Sequence, residues 1–281
     1  MADPEAYEVY AIRYCNRAGR DAKETFLTTA WSDPSHDFTA DCSYYVWLVR
    51  NENRTVLIDT GFGRDELARR QQHAGGWWRP DYALSPAEGL ARLGIDAAGI
   101  TDVIISHLHY DHAGTTEDFP AATFHLQEAE MRYATGRHMR RPGLRSAYAI
   151  EDVVRMIRRL YRGRVHFVDG DVELAPGISL HLVGGHTPGI QAVRVLTRRG
   201  WVVLASDATH FYANVEGRAP YPIVFNVGDM LDGFDRLNEL ASTPSHIIPG
   251  HDPLVMDWYP PPSMALQGVT VRLDQEEQRT L

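Results

Sequence analysis

The stretch Ser106-His107-Leu108-His109-Tyr110-Asp111-His112-Ala113-Gly114 places three imidazoles and a carboxylate within six positions, directly after the apolar run Val103-Ile104-Ile105. Such groups are costly to bury unless hydrogen bonds or a positive ion replace their water. A divalent cation would supply that compensation. In an extended segment alternate side chains share one side, so His107, His109 and Asp111 are expected to emerge together, with His112 turning in from the next position. That layout suits two neighbouring metals, and a polar loop that happens to be rich in His is the competing reading.

Three more candidate ligands stand where apolar runs end among small residues: His186 in Gly184-Gly185-His186-Thr187-Pro188-Gly189, Asp207 in Ala205-Ser206-Asp207-Ala208, and His251 in Pro249-Gly250-His251. Small neighbours let the backbone approach a site closely, which favours ligands over ordinary core histidines. Asp59 ends the apolar run Thr55-Val56-Leu57-Ile58 in the turn Asp59-Thr60-Gly61, where it could also act as a simple turn cap.

The elements that must position these residues alternate in kind. Strands are expected at Glu8 to Tyr14, Tyr44 to Val49, Thr55 to Ile58, Asp102 to Ser106 and Thr123 to Leu126. The polar segment between the first two, with Trp31 and His36, is a lid candidate. Ser85-Pro86-Ala87-Glu88 has the N-cap, Pro and Glu of a helix start, and Gly94 would end that helix. Further helices are expected from about Gln127 to Thr135, Ile150 to Tyr161 and Gly228 to Ala241. From Val165 onward the texture is strand and turn: Val165 to Val168, Ile178 to Val183, Ala192 to Leu196 and Trp201 to Ala205 read as a second sheet, followed by Ser245 to Ile248. No repeat of solenoid period occurs, although each half ends strands in His or Asp clusters, which hints at two similar layers.

Composition narrows the function classes. An apolar fraction of 44% supports a substantial core and excludes disorder as the main state. The formal charge of −9 argues against nucleic acid as a partner, since phosphate backbones are gripped mainly by basic residues. The acidic start and the lack of a long apolar run predict neither secretory signal nor membrane span, hence no membrane partner and a cytoplasmic location. Cys15 and Cys42 are read as buried reduced thiols. Ten arginines between Arg132 and Arg164 form either a solvated helix face or a basic rim that attracts an anionic or carbonyl-rich substrate. Residues 1–260 are read as one catalytic domain and 261–281 as a C-terminal arm lying on the body or on a partner subunit of a homodimer, with the acidic run Asp274-Gln275-Glu276-Glu277 solvated.

His107-x-His109-x-Asp111-His112, followed by His186, Asp207 and His251, resembles the metallo-β-lactamase superfamily over nearly the whole chain. The resemblance implies an α/β fold, a four-layer αββα sandwich of two mixed β-sheets flanked by helices. It implies two Zn²⁺ ions, one on His107, His109 and His186, the other on Asp111, His112 and His251, with Asp207 bridging. Asp59 resembles the carboxylate that receives an N–H from a metal-bound His. Asp207 stands where many true β-lactamases have Cys, and His109 where redox diiron members have an acid, so both activities are disfavoured. The Asp-Thr-Gly turn, Ala113-Gly114 and Ser206-Asp207-Ala208 look most like the N-acyl homoserine lactonases, which open a lactone ring. The implied reaction is attack of a metal-bridging hydroxide on the lactone, with Asp111, Asp207 and His210 as catalytic candidates.

His210 replaces a Tyr common in that group, and could donate a hydrogen bond to the carbonyl or protonate the leaving alkoxide. A small-molecule lactone is therefore the expected partner, with a pyridoxolactone-like or aromatic lactone, or a glyoxalase II-like thioester, as alternatives. Trp77, Trp78, Tyr82, Tyr110, Phe211, Tyr212 and Tyr221 are candidate pocket residues, for which core packing is an equal explanation.

Overall fold

Strands buried on both faces build the molecule. The computed structural model describes residues 6–27, 37–74 and 78–278, so Trp77 and the 28–36 part of the lid candidate lie outside the described residues. In chain order the strands are β1 Glu8–Asp21, β2 Thr39–Arg50, β3 Thr55–Ile58, β4 Asp81–Tyr82, β5 Asp102–Ile104, β6 Thr123–Gln127 and β7 Val165–Val168. They continue with β8 Val172–Ala175, β9 Ile178–Leu182, β10 Gln191–Thr197, β11 Gly200–Ser206, β12 Ile247–Pro249 and β13 Thr270–Arg272. One sheet runs β13-β1-β2-β3-β5-β6-β7 with β4 beside β1, and the other β12-β11-β10-β9-β8. Both are mixed: β3, β5, β6 and β7 pair in parallel, as do β11 and β12, and the rest are antiparallel.

Neighbouring residues of one strand point into different cores, which is how period-two alternation becomes layers. From β2, Tyr45, Trp47 and Val49 meet Leu180, Val193, Val202 and Leu204 between the sheets. The intervening Tyr44, Val46 and Leu48 face outward onto Leu90, Met131, Val153 and Met156 of the covering helices. On the far side, Val203 and Ala205 of β11 pack under Met230, Phe234, Leu237 and Leu240 of the helix Val227–Leu240. The layers are thus helix, sheet, sheet, helix.

Several expectations are met locally. Ser85 Oγ accepts the Glu88 N–H at 3.2 Å while Glu88 accepts the Ser85 N–H at 2.6 Å, starting the helix Pro86–Arg92. Gly94, at φ +75°, takes the left-handed turn that ends it. Both cysteines are buried and free.

One strand is placed differently from the sequence reading, and one helix escapes it. Val165–Val168 does not open the second sheet; it pairs in parallel with β6, Phe124 against Val165. An apolar run reveals that a strand exists, whereas its partner is set by the helical crossover that returns the chain beside β6. The helix Arg64–His73, which buries none of its residues, has no apolar periodicity to announce it. No helix among the described residues is long and apolar enough to cross a membrane.

The C-terminal segment contributes the edge strand β13, with Tyr10 opposite Arg272 and Val271 and Leu273 buried between the sheets. Asp274, expected in solvent, is instead 5% exposed. It accepts the Val9 N–H at 3.1 Å and is clasped by the Arg272 guanidinium at 2.8 and 2.6 Å. Burial opposes the charge, but these donors hold the carboxyl below the ordinary aspartate value of 3.8. Asp274→Ala strands a buried donor and should lower stability by about 1–3 kcal/mol, read as a fall in Tm. Because the folded value is depressed, that contribution is present above the ordinary value and is lost as pH falls through the folded one; the wild-type and variant melting curves should converge in acid.

Candidate metal centre

All seven candidate ligands collect at one end of the sandwich, where strands of both sheets finish. Asp59 follows β3, His107 follows β5, Asp207 follows β11 and His251 follows β12, while His186 lies in the turn between β9 and β10. His109 is still extended, but the chain coils at once into the short helix Tyr110–Ala113, which carries Asp111 and His112. The alternation expected to align Asp111 with His107 and His109 therefore ends at His109. His107 and His109 join His186, whereas Asp111 turns away to join His112 and His251.

Asp207 touches both groups with different oxygens. Oδ2 lies 3.4 Å from His186 Nε2 and 4.0 Å from His107 Nε2. Oδ1 lies 3.0 Å from His251 Nε2 and 3.3 Å from His112 Nε2. Within the first group His186 Nε2 is 2.9 Å from His109 Nδ1 and 3.1 Å from His107 Nε2. In the second, Asp111 Oδ2 is 3.7 Å from His251 and 3.8 Å from His112. A side chain at Gly250 would put its Cβ 2.6 Å from Asp207 Oδ1, so the close approach needs glycine.

The opposite faces of the imidazoles are engaged in ways that fix their tautomers. His112 Nδ1 donates to Asp59 Oδ2 at 2.7 Å, His251 Nδ1 to the Ser43 carbonyl at 2.8 Å, and His186 Nδ1 to the Ile223 carbonyl at 2.7 Å. Each leaves its Nε2 lone pair aimed at the centre. Asp59 sits at φ +61° and also accepts from the Ser106 N–H at 2.7 Å and the Ser106 hydroxyl at 2.8 Å, so it is both turn cap and imidazole anchor.

This donor set fits divalent metal. His112 Nε2 and Asp207 Oδ1 are buried with no hydrogen-bond partner, although they face one another's groups across a gap an ion could span. Burial and the neighbouring imidazoles hold His107 well below the ordinary histidine value, and burial pushes His186 down to about 4. These rings are neutral, the form that ligates. Burial would also lower His112 and His251, but Asp207 outweighs it in both, helped by Asp111 and Asp59 at His112 and by Cys42 at His251, so the second group attracts positive charge. Imidazole-rich ligation of this kind suits zinc.

The centre opens into a cleft of about 1640 Å³ whose lining includes His109, Asp111, His186, Asp207, His210 and His251. Trp78 and Tyr110 also line it, and the Arg70 guanidinium lies 3.4 Å over the Tyr110 ring. Phe211, Tyr212 and Tyr221 do not: they are buried behind the wall, Tyr212 against Trp258 and Tyr221 against His210. Tyr82 is buried in the outer core, donating to the Phe62 carbonyl. Of the Arg-rich segment, Arg145 and Arg155 reach the cleft.

Several functional neighbours were not legible. Glu130, in the first turn of the helix Glu128–Ala134, is fully buried and accepts from the Leu108 N–H at 3.0 Å, Tyr148 at 2.8 Å and Thr187 at 2.6 Å. It ties the His107–His109 strand end to the turn after His186. A glutamate in a first helical turn is ordinary, so nothing in the sequence marks it. Arg20, buried at the end of β1, is equally unannounced.

Residues 39–255 match the metallo-beta-lactamase superfamily. An N-acyl homoserine lactonase of a Bacillus species is 27% identical over 220 residues, covering 75% of this chain and 82% of the relative. A solved structure of a quorum-quenching N-acyl homoserine lactone lactonase superposes with a TM-score of 0.70 at 23% identity, covering 90% of this chain and 95% of that one. AidC, described as a dizinc quorum-quenching lactonase, superposes with a TM-score of 0.65 at 16% identity over 88% of each chain. The structural likenesses agree with the two-sheet architecture, and the matched span contains every strand-end ligand from His107 to His251. On that ground this chain belongs to the metallo-beta-lactamase superfamily.

Proposed function

We propose that the protein is a dinuclear zinc hydrolase that opens the ring of a lactone, an N-acyl homoserine lactone before other cyclic esters. The observation that carries the reading is Asp207, whose two oxygens face two separate groups of imidazoles, one of them with its Oδ1 buried and unpartnered. A structural zinc site is closed by four protein ligands and has no use for such sharing. The lactonase named among the relatives at 27% identity supports the ester class.

When bound, a metal pair supplies Lewis acidity toward a carbonyl and a water that ionises near neutral pH. The rest is work of this chain's own groups. Asp59, the Ser43 carbonyl and the Ile223 carbonyl hold three imidazoles in their ligating tautomers. Glu130 ties two ligand-bearing turns together, which keeps the first group from spreading. His210, 2.9 Å from Asp207 through Nε2, places an N–H donor at the cleft wall.

The cleft is larger than the ~300–1,000 Å³ usual for small ligands, which leaves room for an acyl chain beyond the ring. Met139, Ile150, Val153 and Ile223 offer that chain apolar surface. Arg64, Arg69, Arg70 and Arg155 also line it and favour, as the second reading, a lactone bearing an anionic or aromatic substituent.

Hydrolysis of a panel of lactones, thioesters and β-lactams by zinc-loaded protein tests the reading: acyl homoserine lactones should turn over fastest, and a thioester as best substrate would sink it. Asp207→Ala should lose metal and lactone hydrolysis together, measured by elemental analysis and product formation; full activity in the metal-poor variant is incompatible with the scheme. Asp59→Asn should weaken zinc binding by about 10–100-fold through His112 while leaving the ligands themselves in place, read by competition with a chromogenic chelator.

A further inference from the structure

Arg20 is 6% exposed and lines the cleft, and it forms no ion pair with a carboxylate among the described residues. Its Nε donates to the Glu24 carbonyl at 3.0 Å, its Nη1 lies 3.7 Å from Cys42 Sγ, and its Nη2 reaches both the Glu24 carbonyl and, at 3.0 Å, His210 Nδ1. The register shift between Arg17 and Arg20, where β1 bulges against β2, accompanies its inward turn.

A guanidinium has donors only, so the His210 nitrogen beside it must accept. With Nδ1 supplying its lone pair, a neutral imidazole carries its hydrogen on Nε2. That atom lies 2.9 Å from Asp207 Oδ2, a carboxylate oxygen that can only accept. Both contacts are satisfied by that one tautomer, and Arg20 is the group that keeps hydrogen off Nδ1. Rotation is blocked as well, because His210 stacks on Tyr221 at 3.7 Å with the planes 18° apart, and Tyr221 in turn donates to the Asp207 carbonyl.

We propose that Arg20 is a positioning residue that fixes His210 as an Nε2–H donor toward Asp207 and the cleft, and thereby keeps it out of metal coordination. By distance alone Asp207, His210 and His251 could hold an ion. An Nε2 bearing hydrogen has no lone pair to offer one. The same locking lets His210 act on a substrate oxygen only by sharing the N–H it gives Asp207, in place of a proton source for the leaving alkoxide, because giving up its only N–H would leave an anionic ring. The role toward the ester rests on the lactonase reading; the tautomer does not.

The test uses the full chain, zinc-loaded and labelled with ¹⁵N-histidine, with His210 assigned by its absence in His210→Gln. Long-range ¹H–¹⁵N correlations should show the Nε2–H tautomer in the wild type, a shift toward Nδ1–H or a mixture in Arg20→Met, and restoration in Arg20→Lys. On hexanoyl homoserine lactone, Arg20→Met should lower kcat by about 10–100-fold with KM changing far less. An Nδ1–H or zinc-bound Nε2 in the wild type, or an unchanged pattern in Arg20→Met, overturns the inference. Should Arg20→Met fail to fold, the wild-type spectrum still decides whether His210 is the Nε2–H donor. A wild-type protein inert to lactones would overturn the functional reading and leave the tautomer assignment standing.

Discussion

The shared carboxylate of Asp207 is the constraint around which the rest is built. It stands 3% exposed among His107, His112, His186, His210 and His251, a density of polar groups that a dry interior tolerates only when every one is paired. Burial alone would raise its pKa, but the surrounding imidazoles hold it well below the carboxylate range, so it remains an anion with two oxygens to give. Cations or protons must complete the arrangement. The superfamily's answer to that demand is metal, and the fixed tautomers of His112, His186 and His251 leave lone pairs where metal would sit.

Two sheets packed face to face make such crowding possible. Parallel strands of both sheets end at the same rim, so residues distant in sequence, from Asp59 to His251, arrive within hydrogen-bond range without any of them lying in a strand interior. Strain is accepted there: Asp59 and Ser206 both occupy positive φ, and both hydroxyl and carboxylate are repaid by the Ser106–Asp59–Ser206 hydrogen bonds. Ridge-like apolar surfaces on either side of the first sheet, Trp47 inward and Leu48 outward, keep the strand ends from sliding.

Around this rigid floor the cleft wall is more polar than the core behind it. The charged helix Arg64–His73 contributes Arg70 over Tyr110, while the aromatic residues Phe211, Tyr212 and Tyr221 serve as packing that stiffens the loop after Asp207. Buried groups with one orientation each thus form the centre, and longer side chains form the rim of the cleft. Arg20 belongs with the buried groups despite its length, because each of its three side-chain nitrogens reaches a neighbouring protein atom.

Read alone, the sequence carries the ligands and most of the strands, because metal-binding residue types after short apolar runs, and the β-branched and aromatic runs themselves, are local signals. His107, His186, Asp207 and His251 could be picked out in this way, as could the helix capped by Ser85. What it cannot carry is pairing. Val165–Val168 looks like any strand of the second half yet joins the first sheet, and Thr270–Arg272 looks like a tail yet closes the edge beside β1. Strand alternation alone would keep His109 with Asp111; the family resemblance separates them and the coil between them shows how, whereas only the tertiary structure brought Arg20 to His210 and Glu130 to the turn after His186. The reason is physical: a residue's type and its immediate neighbours determine what it can bond, whereas its partner depends on which remote segment the folded sheets deliver to within about 3 Å.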